Sequence, residues 1–220
     1  MSKQPDIDEL IRQGFELLEV EDFQGAIKVG KQLQTKRHTS AFEILALAHA
    51  GLGNAQRAVV VLEEGIRRGP DVWLLWQLLG NCRSDLGLYD VAHEAYESAL
   101  KCPGVNASSV HLNAAIALSR QKRLDEAMAR LDLVEDNELQ PRVEAQRLYI
   151  FNERREYEAA IRLAEPLFPG LKRSPMAKSC RRYRHALGTR TGSVARTSRG
   201  QSNLQRRPSF TIALPRTLCG

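Results

Sequence analysis

Apolar residues recur along this chain at the three- and four-residue intervals of amphipathic helices, as in Leu74, Leu75, Leu78 and Leu79 and then Val91, Ala95 and Ala99. Turn signals separate these stretches: GLGN at 51–54, and Gly–Pro or Pro–Gly pairs at 69–70 and 103–104. No alternating apolar and polar run of comparable weight appears, so the pattern predicts an all-helical chain. At ordinary helix length it holds about ten helices.

A second, longer period lies over the first. Five segments carry a similar phrase: DFQGAI (22–27), NAQRAV (54–59), LYDVAH (88–93), RLDEAM (123–128) and EYEAAI (156–161). Their alanines, Ala26, Ala58, Ala92, Ala127 and Ala160, are spaced 32, 34, 35 and 33 residues apart. Three residues before each stands an apolar side chain: Phe23, Ala55, Tyr89, Leu124 or Tyr157. Twelve before each stands Gly14, Ala46, Gly80, Ala115 or Leu148, small in four of the five. Small residues at two fixed places are what the two helices of an antiparallel hairpin need in order to approach closely. A period of this length predicts an α-solenoid, in which each helix pair packs only on its neighbours and the stack encloses a concave groove.

These residues resemble the tetratricopeptide repeat family. The third unit, residues 76–103, shows Trp76, Leu79, Gly80, Gly87, Tyr89, Ala92, Tyr96, Ala99 and Pro103 at or within one place of the family pattern. The second matches through Phe42, Leu45, Ala46, Gly53, Ala58, Leu62 and Pro70. The other three depart from it: His111 and Glu144 stand where the family prefers Trp, and Arg147 where it prefers Leu. The resemblance covers roughly residues 7–170, divided at about 7–38, 39–70, 72–104, 106–139 and 141–170. It implies a right-handed superhelix whose first helix in each pair lines the concave face and holds an extended peptide or a partner helix.

Counting from the aligned alanine places Asp8, Ile11, Phe15 and Leu18 on that face in repeat 1, and Ser40, Glu43, Leu47 and Ala50 in repeat 2. Repeat 3 presents Gln77, Asn81 and Ser84. Repeat 4 presents Leu112 or Asn113, Ile116 and Ser119. Repeat 5 presents Arg142, Ala145, Gln146, Tyr149 and Asn152. The face is apolar at its amino end and rich in amides further on. Some members of the family grip a peptide's terminal carboxylate with Lys and Asn in one repeat, Asn in the next, then Lys and Arg. Here the matching places hold Gln77 and Asn81, Asn113, and Arg142 and Gln146, so both asparagines and one cation are kept while two cations are glutamine. The candidate peptide-binding residues are therefore Gln77, Asn81, Asn113, Arg142, Gln146 and Tyr149. Amides of this kind can bond the backbone of an extended peptide whatever its side chains. Trp76 occupies a packing position, whereas Trp73 is either an inter-repeat ridge or an exposed anchor.

Charge changes the picture only at one end. The 220 residues hold 32 Lys+Arg and 26 Asp+Glu. Residues 171–220 contribute 12 of the basic residues and no acidic one, which leaves residues 1–170 at a net −6. A capping helix is expected at 171–187, with Ser174 as N-cap, Pro175 in the first turn and a stripe of Met176, Cys180, Tyr183 and Leu187. Residues 188–220 are rich in Arg, Ser, Thr and Gly and are expected to lack order. They read as a cationic arm for nucleic acid or an anionic surface, as an arm folding back on the acidic repeats, or as the product of a reading-frame shift.

Chemistry is scarce. The chain lacks the phosphate-cradling motifs G-x-x-x-x-G-K-[ST] and G-x-G-x-x-G and the nucleophile elbow G-x-S-x-G. His38, His49, His93, His111 and His185 show no metal-ligand spacing, and Cys82, Cys102, Cys180 and Cys219 form no CxxC. Glu63–Glu64 and Asp125–Glu126 read as solvated helix faces, and Cys82 as a small buried hydrophobe. No run is long and apolar enough to span a membrane, and MSKQPDIDEL lacks the form of a signal peptide. The expectation is a cytoplasmic, non-catalytic adaptor without cofactor or metal, which binds a protein or peptide segment along its groove. The alternatives are a nucleic-acid-associated protein acting through the basic tail, and a solenoid that stacks end to end on its own copies.

Overall fold

A computed structural model of the chain describes residues 6–164; the expected capping helix at 171–187 and the basic tail at 188–220 lie outside the described residues. The repeats described here belong to one compact unit, which runs to Leu163. Among the described residues ten α-helices follow one another: α1 (Ile7–Glu19), α2 (Phe23–Thr35), α3 (Ser40–Gly51), α4 (Ala55–Arg68), α5 (Trp73–Asp85), α6 (Tyr89–Leu100), α7 (Ala107–Arg120), α8 (Leu124–Leu131), α9 (Gln140–Glu153) and α10 (Tyr157–Ala164). A single 3-10 turn, Asn137–Leu139, precedes α9, and no strand occurs among the described residues. The all-helical expectation holds, and the architecture is an α-solenoid.

Short polar side chains relieve unpaired backbone donors at the starts of α1, α2 and α7. Asp22 accepts from the Gly25 amide at 2.9 Å to open α2, and Asn106 accepts from the Ser109 amide at 2.9 Å to open α7. Each first helix ends in a tight reversal with one residue in the left-handed region, always five places before the aligned alanine. That residue is Glu21 (φ 59°), Gly53 (76°), Gly87 (76°), Lys122 (64°) and Arg155 (60°). The turn demands a positive φ in every repeat, but only repeats 2 and 3 place a glycine there. These two repeats are also the ones that match the family pattern best.

Packing bears out the alanine register. Ala26, Ala58, Ala92 and Ala127 are fully buried, while Ala160 in the last described helix is half-buried. The small residues twelve places earlier serve two kinds of contact. A Cβ on Gly80 would come within 2.6 Å of the Tyr96 ring, which belongs to the other helix of the same pair. A Cβ on Gly14 would come within 2.6 Å of Ile44, on the first helix of the next repeat. Close approach within a hairpin is thus only half of the reason for small residues at this place; stacking of successive repeats is the other half.

The core runs from repeat to repeat without a break. Phe42, Leu62, Leu75 and Leu79 tie repeat 2 to repeat 3, and Tyr96, Ala99, Val110 and Ala114 tie repeat 3 to repeat 4. Leu112, Leu131, Val143 and Ile150 tie repeat 4 to repeat 5. Trp76 packs into this seam and donates its indole N–H to the Pro70 carbonyl at 2.7 Å. Trp73 packs there too and is half-buried, so it acts as an inter-repeat ridge and not as an exposed anchor.

The left-handed turns give a first test by urea denaturation. A Cβ at Gly87 meets nothing within 4 Å. Gly87→Ala should therefore lose about 1 kcal/mol through φ alone, and Glu21→Gly should gain a similar amount. Equal stability of Glu21→Gly and the parent would show that this turn carries no backbone strain.

Candidate functional site

Within this unit the first helices α1, α3, α5, α7 and α9 pack side by side, each on the next, whereas successive second helices do not touch to a comparable extent. The layer whose members lie closer together is the inner one. Its exposed side is the face that the alanine register assigns to Glu43, Gln77, Asn81, Asn113, Arg142 and Tyr149.

The structure places the six candidate residues on three consecutive first helices and gives them unequal surroundings. On α5, Gln77 is buried at 6% exposure and its Oε1 has no hydrogen-bond partner. One turn on, half-buried Asn81 accepts the Tyr96 hydroxyl at 2.9 Å. Tyr96 is itself 1% exposed, and burial pushes its pKa upward, so the phenol stays a donor. On α7, the Asn113 amide donates back to the Ser109 carbonyl at 2.9 Å. On α9, Gln146 donates to the Ser119 hydroxyl of α7 at 2.8 Å, and Ser119 donates to the Ala115 carbonyl at 2.8 Å. Gln146 thus spends its donor on the junction between two repeats. Arg142 is exposed and makes no hydrogen bond or ion pair among the described residues. Tyr149 is 41% exposed with the Lys122 ammonium 5.9 Å from its ring centre, and Lys122 pairs with Glu153 at 2.5 Å.

Two further groups on this face are not among the six candidates. Arg120 reaches the Asp85 carboxylate at 2.5 Å and the Ser84 hydroxyl at 3.4 Å across the α5–α7 junction. Glu43 on α3 is half-buried, and burial raises its pKa to about 7. The signal for Glu43 was present in the register. The places fifteen before the aligned alanine are Ile11, Glu43, Gln77, Leu112 and Ala145, and Glu43 is the one acid among them.

The remaining polar clusters look structural. Glu63 pairs with Arg83 at 3.1 Å, Glu64 with Arg68, Asp125 with Arg154 at 2.5 Å, and Glu126 with Arg123 at 2.5 Å. All four carboxylates sit on solvated helix faces. Cys82 is 5% exposed and its thiol is pushed up to about 12 by burial, with Asp85 adding to the effect, which suits a packing residue and not a thiolate. On the second-helix side a cavity of about 250 Å³ is lined by Asp90, His93, Leu118, Arg123, Glu126 and Arg130. Its two carboxylates, Asp90 and Glu126, equal its two guanidiniums in number, burial holds His93 below the usual histidine range, and Arg130 is paired with Glu97. Among the described residues no group of His, Cys, Asp and Glu could hold a metal ion, and no helix is long and apolar enough to cross a membrane.

With this geometry in view, comparison with solved structures yields one consistent result. Protein TTC0263 of Thermus thermophilus, a thermophilic tetratricopeptide repeat protein, matches with a TM-score of 0.59 at 23% identity, over 65% of this chain and 82% of its own. A tetratricopeptide repeat protein from Parabacteroides merdae ATCC 43184 matches with a TM-score of 0.59 at 15% identity, over 83% of this chain and 73% of its own. MamA of MSR-1 matches with a TM-score of 0.51 at 20% identity, over 71% of this chain and 91% of its own. No family model matches the sequence, and the search of curated proteins found no match. The chain has the tetratricopeptide repeat fold.

Two stability measurements test the site. Asn81→Ala leaves the buried Tyr96 hydroxyl unpaired and should cost about 1–3 kcal/mol. In a Tyr96→Phe background the same change should cost much less, which a double-mutant cycle will read directly. The second concerns Glu43, whose carboxyl keeps its proton in the folded state up to about pH 7, against 4.5 for the ordinary group. Its contribution is therefore fully present below about pH 4.5 and is lost as pH rises through 7, because unfolding then releases a proton. Glu43→Gln should match the parent near pH 4 and exceed it near pH 8 by on the order of 3 kcal/mol at most. Parallel stability curves for the two across this range would place Glu43 in water.

Proposed function

We propose that this chain is a non-catalytic interaction scaffold that holds a peptide or protein segment along the exposed side of its first helices. The observation that carries the reading is the state of Arg142. It is exposed on the inner layer and unpaired among the described residues, whereas Arg120, another cation of that layer, is tied into a repeat junction. Around it Asn81 keeps its amide donors, Asn113 keeps its carbonyl oxygen, and Tyr149 offers a partly exposed ring. These are the groups that an extended backbone can use: donors and acceptors at helical intervals, with an aromatic surface beside them. Gln146 and Ser119 hold the α7–α9 spacing on which that arrangement depends.

In this reading the ligand is a protein segment, no cofactor takes part, and the setting is the cytoplasm. Free Cys82 and Cys102, both at least half-buried, suit a reducing compartment.

A photo-reactive benzophenone residue provides the test, placed in the full chain at Tyr149 or, as a control on the opposite side, at the exposed Val60 of α4. Irradiation in native extract should yield a discrete adduct from position 149 that is absent from position 60. The adduct should fall at least about tenfold when Arg142→Glu and Asn113→Ala are combined, since a charge-assisted contact is reversed and an amide removed. Both changes leave the buried core untouched. Adducts from position 60 alone, or adducts at 149 indifferent to the double change, would place the binding surface elsewhere.

A further inference from the structure

The second-helix side of repeats 1 and 2 carries a charge pattern unlike that of the other repeats. Residues 1–170 are acidic overall, yet from Phe23 to Leu62 there are five Lys and Arg and a single acid, Glu43, which lies on the inner face. Lys28 and Lys31 on α2 and Arg57 in the first turn of α4 are exposed. None of the three makes a side-chain hydrogen bond or ion pair among the described residues. In repeats 3 to 5 the pattern is reversed: Arg83, Arg120, Arg123, Arg130, Arg147 and Arg154 are each tied to a carboxylate.

Packing sets the three cations about one furrow. A Cβ on Gly51 would run into the Phe23 ring, and a Cβ on Gly30 would come within 2.7 Å of Leu45. The first two turns of α2 therefore lie along the second half of α3. On the other side α4 is brought to the same end of α3 by a turn that the Asn54 amide closes on the His49 carbonyl at 2.9 Å. Both α2 and α4 pack on α3 and not appreciably on each other, so α3 is the floor between two separate walls. Half-buried His49 belongs to that floor. Burial holds its pKa below the usual histidine range, and Arg57 and Lys31, one from each wall, add to the effect. Acids bordering the furrow are already engaged: Asp22 accepts from the Gly25 amide at 2.9 Å, and Glu64 is paired with Arg68.

Cations gathered without counter-charges attract an anion from solution. A long polyanion does not suit this place. Residues 6–22, which form α1 and the turn before α2, hold seven acids and one base, and Glu63 and Glu64 follow on α4. A nucleic-acid strand or an anionic membrane would meet these acids beside the furrow, whereas a short run of carboxylates would not. Each charge-assisted contact it makes breaks no internal pair.

We propose that the furrow between α2 and α4 is a docking site for an acidic segment of a partner protein, whose aspartate and glutamate carboxylates meet Lys28, Lys31 and Arg57. The site lies on the other side of the repeats from the inner face and does not depend on the function proposed for that face. With both sides occupied, the chain holds two proteins at once.

The test uses the full chain and an end-capped, fluorescein-labelled peptide, Gly-Ser-Glu-Glu-Leu-Glu-Glu-Ser-Gly, beside a twin with glutamine for every glutamate. By fluorescence anisotropy the glutamate peptide should bind about tenfold or more tightly than its twin. Lys31→Glu and Arg57→Glu combined should remove that advantage, while circular dichroism shows the variant folded. Arg142→Glu should leave it unchanged, and any adduct that a furrow segment forms at position 60 of α4 is a species distinct from that at position 149. Because residues 171–220 also attract acids, a second readout is local: NMR of ring-labelled histidine. The glutamate peptide should move the His49 titration midpoint upward, since a carboxylate there offsets Lys31 and Arg57, and should leave His93 and His111 where they are. Equal binding of the two peptides, an advantage that survives the charge reversals, or a His49 midpoint that does not rise would each overturn the site. An oligothymidylate that raises the midpoint as the peptide does would make it a nucleic-acid site and overturn it too.

Discussion

Every feature of this protein depends on one constraint: a helix pair has two apolar sides and can bury only one of them within itself. The other side must be covered by the next pair, so the chain repeats, and the repeat has to keep its helices close. The fully buried alanines Ala26, Ala58, Ala92 and Ala127 mark where the two helices cross, and Gly14 against Ile44 marks where one repeat meets the next. Tyr96 shows both requirements in one side chain. It fills the space that Gly80 leaves empty, its ring belongs to the seam towards repeat 4, and its hydroxyl is anchored on Asn81.

Inter-repeat polar contacts follow the same nearest-neighbour rule. Arg83 reaches Glu63, Arg120 reaches Asp85, Arg130 reaches Glu97, Lys122 reaches Glu153 and Arg154 reaches Asp125, each from one repeat to an adjoining one. Exposed pairs of this kind are worth about 0–1 kcal/mol each. Their part is therefore to favour one rotation of a repeat on its neighbour, while the apolar seam supplies the cohesion. The exposed side of the first helices inherits its shape from these rotations, so residues far from that side still set the spacing of the groups on it.

How much of this could be read in the sequence depends on what kind of information a period carries. The spacing of five alanines was enough for the helical class, the pairing of helices and the inner face, because burial at these places is dictated by a repeating geometry. It was not enough for hydrogen-bond partners, which depend on single neighbouring atoms. Asn81 and Asn113 were both assigned to the groove from the sequence, yet one accepts from a buried phenol and the other bonds back to its own helix. Gln146 looked like a groove residue, and its donor goes to Ser119. The positive φ at Glu21, Lys122 and Arg155 was hidden for a related reason: the turn is required by the repeat, but its usual glycine is absent there. Trp73 could be assigned to the ridge only once its packing partners were in place.

The inner face thus divides its polar groups into those that hold the repeats together and those that have nothing to hold. Ser84, Ser119, Arg120 and Gln146 belong to the first kind, and any ligand that used them would have to break an existing bond. Arg142, with no bond among the described residues to give up, belongs to the second, together with Glu43. Binding energy on such a surface comes from the second kind, because only there does a new contact replace solvent or an unmet bond and not an equivalent internal partner. Glu43 and Arg142 lie three repeats apart, the acid in repeat 2 and the base in repeat 5, and they carry opposite charge once pH rises above about 7, where Glu43 ionises. A segment that met both would have to be extended and charged in the opposite sense along its length. On the proposed reading, a groove with one charge at each end selects the direction of its ligand as well as its composition.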